Sequence, residues 1–181
     1  MRIIGGTYRG KKLLSPLGEG VRPTSDRARE ALFNILASRL PEAFFSYSFL
    51  DVFAGTGAVG LEALSRGFAT VSLLDRETKS LRRNAVLFPN ETKRLRLIEA
   101  DALRLPPAGQ SFDVVFLDAP YKKGLSELAL QSLAEQGWLK PGALCIVEVE
   151  KDEELTPPPS FRLDIEKKYG LARFLFLEFL D

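Results

Sequence analysis

Histidine is absent from this 181-residue chain. That removes histidine-based nucleophile triads, most zinc sites and the ordinary proton shuttle near neutral pH. Cysteine occurs once, as Cys145. An intramolecular disulfide is therefore impossible, and a reducing compartment, the cytoplasm, is expected. Long apolar runs are missing as well. None approaches the roughly 20 residues of a membrane span, so no membrane association is expected. The opening stretch MRIIGGTYRGKK has no long apolar segment, so a signal peptide is not expected. Net charge is almost absent, at +1. Chemistry is left to carboxylates, backbone groups, aromatic rings or a cofactor, and no metal site is expected.

The remaining composition is that of a globular protein, with 45% apolar and 27% charged residues. The length suits one domain with a small appendage. The near-neutral charge is unevenly spread. Residues 1–30 carry Arg2, Arg9, Lys11, Lys12, Arg22, Arg27 and Arg29 against Glu19, Asp26 and Glu30, a local balance of +4 that leaves −3 for the rest. A basic arm on a mildly acidic body can bind a polyanion locally, although a solvated surface has the same pattern.

Glycines 5, 6 and 10 between Arg2–Ile4 and Lys11–Leu14 predict a small hairpin. Gly18, Gly20 and Pro23 mark a loop. A helix then begins near Thr24 or Ser25, carries Ala28, Ala31, Leu32, Ile35 and Leu36 on one face, and stops at Pro41. Strands and helices alternate afterwards. Strands are expected at 48–53, 70–74, 95–99, 112–117 and 143–149, and helices from the Gly-rich turn after the first strand through about Arg66, at about 77–87 and at 125–136. Beyond Pro157-Pro158-Pro159, residues 161–168 and 172–180 form a closing antiparallel pair around Gly170. The expectation is an α/β fold with a doubly wound, mostly parallel, seven-stranded sheet. It carries a hairpin-helix extension over 1–40 on a core over 41–181.

The first strand runs into Asp51-Val-Phe-Ala-Gly55-Thr-Gly57-Ala-Val-Gly60. Such a loop lets backbone come close to a ligand at a helix N-terminus. Asp75 follows 20 residues after Gly55, at the end of the second strand. An acid there can accept hydrogen bonds from ribose hydroxyls. The literal G-x-G-x-x-G also fits a dinucleotide. Asp51, just upstream, favours S-adenosylmethionine: a carboxylate suits a cationic amino-acid tail and repels a pyrophosphate. Asp101, after the third strand, is placed to meet an adenine amino group.

The fourth strand ends in Asp118-Ala119-Pro120-Tyr121. A planar base can stack on Tyr121, and its exocyclic amine can donate to the Asp118 carboxylate and a backbone carbonyl. Those acceptors would aim the nitrogen lone pair at a methyl donor. Taken singly, Tyr121 also reads as a rim aromatic and Asp118 as a helix cap.

These residues resemble class I S-adenosylmethionine-dependent methyltransferases of the amino-methylating type, which carry a glycine loop and a [D/N/S]-P-P-[Y/F/W] motif. More narrowly, the chain resembles the RsmD family, which methylates the exocyclic N2 of a guanine in 16S rRNA. The likeness includes Arg2-Ile-Ile-Gly-Gly-Thr-Tyr-Arg-Gly-Lys-Lys-Leu13 and Arg22-Pro-Thr-Ser-Asp-Arg-Ala-Arg-Glu-Ala-Leu-Phe-Asn34. It continues through Asp51–Gly60, Leu61-Glu-Ala-Leu-Ser-Arg-Gly67 and Phe112–Tyr121.

The resemblance implies that Asp51, Phe53, Ala54, Gly55, Thr56 and Gly57 surround the methionine part of S-adenosyl-L-methionine. Asp75 and Arg76 would lie at the ribose, and Asp101 and Ala102 at the adenine. Asp118, Pro120 and Tyr121 would form the catalytic base pocket. The extension would contact 16S rRNA in the small ribosomal subunit or its assembly intermediate, with the protein acting as a monomer. One departure is Ala119, where the family has a first proline; alanine keeps the carbonyl and adds an N–H. Amino-methylation of DNA adenine or of protein glutamine stays open, as do an NAD-dependent oxidoreductase and a non-catalytic RNA-binding assembly factor.

Overall fold

The computed structural model describes residues 1–18, 23–121 and 124–181. The expected turn at Gly20 and the charges of Glu19 and Arg22 lie outside the described residues. Helix α1 spans Asp26–Arg39; Ser25 caps it by accepting the Ala28 N–H. Leu40 is already extended because Pro41 follows it. Strand β1 (Ser48–Val52) is buried along its whole length, as a central strand of a covered parallel sheet must be. Then come α2 (Ala58–Ser65), β2 (Thr70–Asp75), α3 (Lys79–Ala85), β3 (Leu95–Glu99), β4 (Phe112–Leu117), α4 (Leu125–Glu135), β5 (Leu139–Glu150), β6 (Phe161–Tyr169) and β7 (Ala172–Phe179).

The seven strands form one sheet in the order β3-β2-β1-β4-β5-β7-β6. Strands β1 to β5 are parallel, while β7 runs antiparallel to both β5 and β6. The order reverses between β1 and β4, so the crevice for a ligand opens at their carboxyl ends. One face of the sheet is covered by the N-terminal segment, α1, α2 and α3. Ile3, Leu13, Leu32, Phe33 and Leu36 there join Phe49, Phe116 and Phe176 in a single core. The other face is covered by α4, with Leu130 and Leu133 against Leu50, Val115, Leu117 and Val147.

Three expectations are refined. The hairpin contributes one bridge, Arg2 to Lys12, rather than two strands. The N–H groups of Ile4 and Gly5 that would lengthen a ladder donate to the buried Glu62 carboxylate instead, each at 2.9 Å. Helix α3 is shorter than 77–87. Asp75 Oδ1 accepts from Glu77 N–H and Glu77 Oε1 from Lys79 N–H, and these side-chain bonds compete with helix at its entry. Strand β5 begins at Leu139, because pairing with β4 resumes across a register shift that passes Pro141 and Gly142.

Candidate active site

The strand register brings the expected residues to one edge. Val52 lies between Leu74 on β2 and Leu117 on β4, so the residues after these strands emerge side by side. Phe53, the first residue past β1, holds a φ of 59°, a conformation that costs an L side chain energy. It turns the chain into the glycine loop. Gly55 also has a positive φ, and a Cβ built on it would meet nothing within 4 Å. Its side therefore faces open space. Gly60 serves packing: a Cβ there would lie 2.1 Å from Leu73 Cδ2, so its absence lets α2 sit close on the sheet.

Two carboxylates hold the loop. Asp75 Oδ2 accepts the Gly55 N–H at 2.9 Å and its Oδ1 accepts from Glu77. Each oxygen keeps a further lone pair, so the half-buried group can still accept from hydroxyls. Asp51 lies beneath the loop, 2% exposed, with Oδ2 accepting the Gly60 N–H at 2.8 Å. Burial, countered by that hydrogen bond and reinforced by Asp75 and Glu148, raises its pKa to about 7. From α3, Asn84 Nδ2 donates to the Thr56 and Leu14 carbonyls, tying the loop to the N-terminal segment. Ala54 and Gly57 close the turn through Gly57 N–H to Ala54 O at 2.7 Å.

Asp101 is half-buried and turns Oδ1 to the Leu103 N–H. Ala102 is buried with Leu74 and Leu105 in the α4-side core, and Arg76 is exposed after β2. At the end of β4, Asp118 is half-buried, Ala119 buried, Pro120 exposed and Tyr121 half-buried. Burial of the Asp118 carboxyl, with Glu148, Asp51 and Glu153 adding like charge, holds its pKa well above the usual range. The end of the sheet is thus a concentration of carboxyl groups. Like charges at short range in low dielectric cannot all ionise unless a cation joins them.

Glu148 was not among the candidates read from the sequence. It is buried on β5 and accepts the Thr24 hydroxyl at 2.6 Å. A single acid inside the apolar run Cys145–Val149 was the signal available for it.

The switch point, the glycine loop after β1, the acid ending β2 and the Asp-Ala-Pro-Tyr turn after β4 together define a class I methyltransferase. The solved structure of an RNA methyltransferase from Salinibacter ruber in complex with S-adenosyl-L-homocysteine shares this fold (TM-score 0.67, 13% identity, 88% of this chain and 95% of that one). The Escherichia coli protein yhhF matches more closely (TM-score 0.82, 35% identity, 99% of this chain and 98% of that one). The family model described as Conserved hypothetical protein 95 matches residues 1–178, and the chain belongs to that family, the RsmD family. Among its relatives is the ribosomal RNA small subunit methyltransferase D of Haemophilus influenzae, 39% identical over 180 residues (96% of this chain, 91% of that protein). The protein of that name from Escherichia coli K12 is 39% identical over 179 residues (96% and 87%). No helix among the described residues is long and apolar enough to cross a membrane.

Proposed function

We propose that this chain is an rRNA methyltransferase that moves a methyl group from S-adenosyl-L-methionine to the exocyclic N2 amine of a guanine in 16S rRNA. It acts as a cytoplasmic monomer on the small subunit or its assembly intermediate. Residues 41–181 are the methyltransferase core, and residues 1–40 are the extension that contacts RNA. The relatives' names support the reaction and its substrate.

The observation that carries the choice of cofactor is the buried carboxyl group of Asp51 beneath a glycine loop whose open side is Gly55. A sulfonium with an ammonium tail relieves this excess of acid. A pyrophosphate would increase it, which argues against the dinucleotide reading of the same glycines. Asp51 and the loop from Phe53 to Gly57 would hold the methionine part, Asp75 the ribose and Asp101 the adenine. The cofactor, when bound, supplies an electrophilic methyl group.

The protein's own part is to present the amine. Tyr121 offers a ring for the base to stack on. The Asp118 carboxylate and the Ala119 carbonyl accept hydrogen bonds from the two amine N–H groups, which turns the nitrogen lone pair outward and stabilises positive charge as it develops, and the one proton released on methylation passes to Asp118. Pro120 keeps Ala119 extended, so the missing first proline leaves the accepting carbonyl in place.

The test is transfer of labelled methyl to small-subunit rRNA or subunits lacking the modification, with mass mapping of the product. Transfer to a guanine N2 is expected, and Asp118→Ala should lose at least about 10³-fold in turnover while still binding S-adenosylhomocysteine. Cofactor binding without transfer to any ribosomal substrate would overturn the reading in favour of an assembly factor. Transfer to DNA adenine or protein glutamine instead would replace the substrate.

A further inference from the structure

Glu148 has no part in the mechanism above, yet it is the carboxyl group next to Asp118. Leu117 pairs with Val147, so the next position on each strand sets Asp118 beside Glu148, on the face that α1 covers. Glu148 is 4% exposed, and the residue across from it on β7 is Phe174. Its hydrogen-bond donor is the Thr24 hydroxyl, at 2.6 Å. Thr24 is itself held from below. The fully buried Arg29 of α1 donates to the Thr24 carbonyl at 3.2 Å, to the Arg2 carbonyl at 2.6 Å and to Asp26 Oδ1 at 2.9 Å. One chain of polar contacts therefore runs from Arg2 through Arg29 and Thr24 to the acid beside Asp118.

We propose that Glu148 is a positioning residue for methyl transfer: held by Thr24, it keeps the Asp118 carboxyl a strong proton acceptor toward the target amine. The inference rests on the reading that Asp118 receives that amine. A negative charge on Glu148 makes Asp118 slower to ionise and, once ionised, more basic. A more basic acceptor pulls harder on the amine proton in the transition state. Burial favours the protonated form of Glu148, and the Thr24 hydroxyl, by donating to it, works against burial and toward the charged form. Among the described residues, the other groups that act on Asp118 are acids too, Asp51 from β1 and Glu153 beyond β5, while Arg29 on α1 is committed to Thr24, Arg2 and Asp26. The same chain ends in the N-terminal segment, so the extension's docking on the core also sets the strength of the acceptor.

The experiment is the pH profile of kcat and KM on rRNA for the wild type, Glu148→Gln, Thr24→Val, Thr24→Ser and Asp118→Ala. Thermal unfolding and S-adenosylhomocysteine binding are measured on each. Glu148→Gln keeps the side-chain size but removes the charge. Its acid limb should move about one unit toward lower pH, its plateau kcat should fall about three- to tenfold, and KM should hold within about twofold. Thr24→Val should move the limb the same way by less, because Glu148 then retains its proton more readily, and Thr24→Ser should restore it. A folded, cofactor-binding Glu148→Gln whose kcat is unchanged, or falls equally at every pH, overturns the proposal. If Glu148→Gln fails to fold, an unmoved limb in Thr24→Val overturns it. Full turnover in Asp118→Ala, which removes both acceptor oxygens, refutes the assigned role of Asp118 instead, which separates the two failures.

Discussion

The face of the sheet under α4 is closed almost entirely by hydrocarbon. Leu130, Leu133, Trp138, Val147 and Leu177 pack there, and the buried polar atoms are few, such as Ser132, which accepts the Leu105 N–H, and Trp138, which donates to the Pro106 carbonyl. The opposite face is closed by the N-terminal segment, α1, α2 and α3. Beside its own apolar core it buries Arg29, Asp51, Glu62, Asn84 and Glu148. Buried charge is costly unless it is paired and hydrogen-bonded. Glu62 meets that condition: it accepts from Ile4, Gly5 and the Arg66 guanidinium. Asp51, Asp118 and Glu148 meet it only in part, and they stand at the edge where the site opens. The difference separates a face closed by hydrocarbon from one that also fastens the N-terminal segment and gathers carboxyl groups at the carboxyl ends of the strands.

The largest effect should follow from breaking the best-satisfied acid. Glu62→Ala leaves two backbone donors and the Arg66 guanidinium without their acceptor, and should cost about 3–5 kcal/mol in urea unfolding. A cost under about 1 kcal/mol would show that the N-terminal segment is not fastened through this residue.

The counterpart on the hydrocarbon face is Leu133→Ala, expected to cost about 2–5 kcal/mol as a cavity. Per folded molecule its KM for rRNA should match the wild type, whereas Glu62→Ala should raise KM. Equal KM values in both variants would erase the functional distinction between the faces.

A third prediction concerns pH. Asp51 titrates at about 7 when folded and near 3.8 when unfolded. Between these values the native state binds more protons than the unfolded chain. Stability of the ligand-free protein therefore falls as pH rises from about 4 to 7, and Asp118 and Glu148, shifted the same way, add to the slope. Asp51→Asn should flatten part of that decline, leaving the variant more stable than the wild type at pH 8 and similar to it at pH 4. An unchanged slope in denaturant melts across this range would reject the assignment.

The smallest effect is local. Ser25→Ala removes the cap of α1 and should cost about 1 kcal/mol. Methyl transfer should be unaltered if the link through Thr24 and Glu148 survives, as an assay at matched folded fraction would reveal.

Much of this was legible in the residues themselves. Strands β3 and β4 occupy their expected bounds: β3 alternates Leu95 and Leu97 with Arg96, and β4 is a short β-branched and aromatic run. Helix α1 follows from its apolar spacing, with Ser25 and Pro41 at its ends. The glycine loop and Asp75 were identifiable because their contact, Gly55 N–H to Asp75, joins two motifs at a fixed spacing. Local chemistry determined which segments turn, which strands lie in the interior and which residues gather after β1, β2 and β4.

Only the tertiary structure decided how the N-terminal segment is attached and what surrounds Asp118. The bonds from Glu62 to Ile4, from Asn84 to Leu14 and from Glu148 to Thr24 span 58, 70 and 124 residues. No periodicity encodes such partners, because a hydrogen bond depends on distance in space. The same holds for proton affinity. Asp51, Asp118 and Glu148 are ordinary carboxyl groups in the chain, and only their burial at adjoining strand ends tightens their hold on a proton, with Glu148 adding to the effect at Asp51 and at Asp118 and Asp51 adding to it at Asp118.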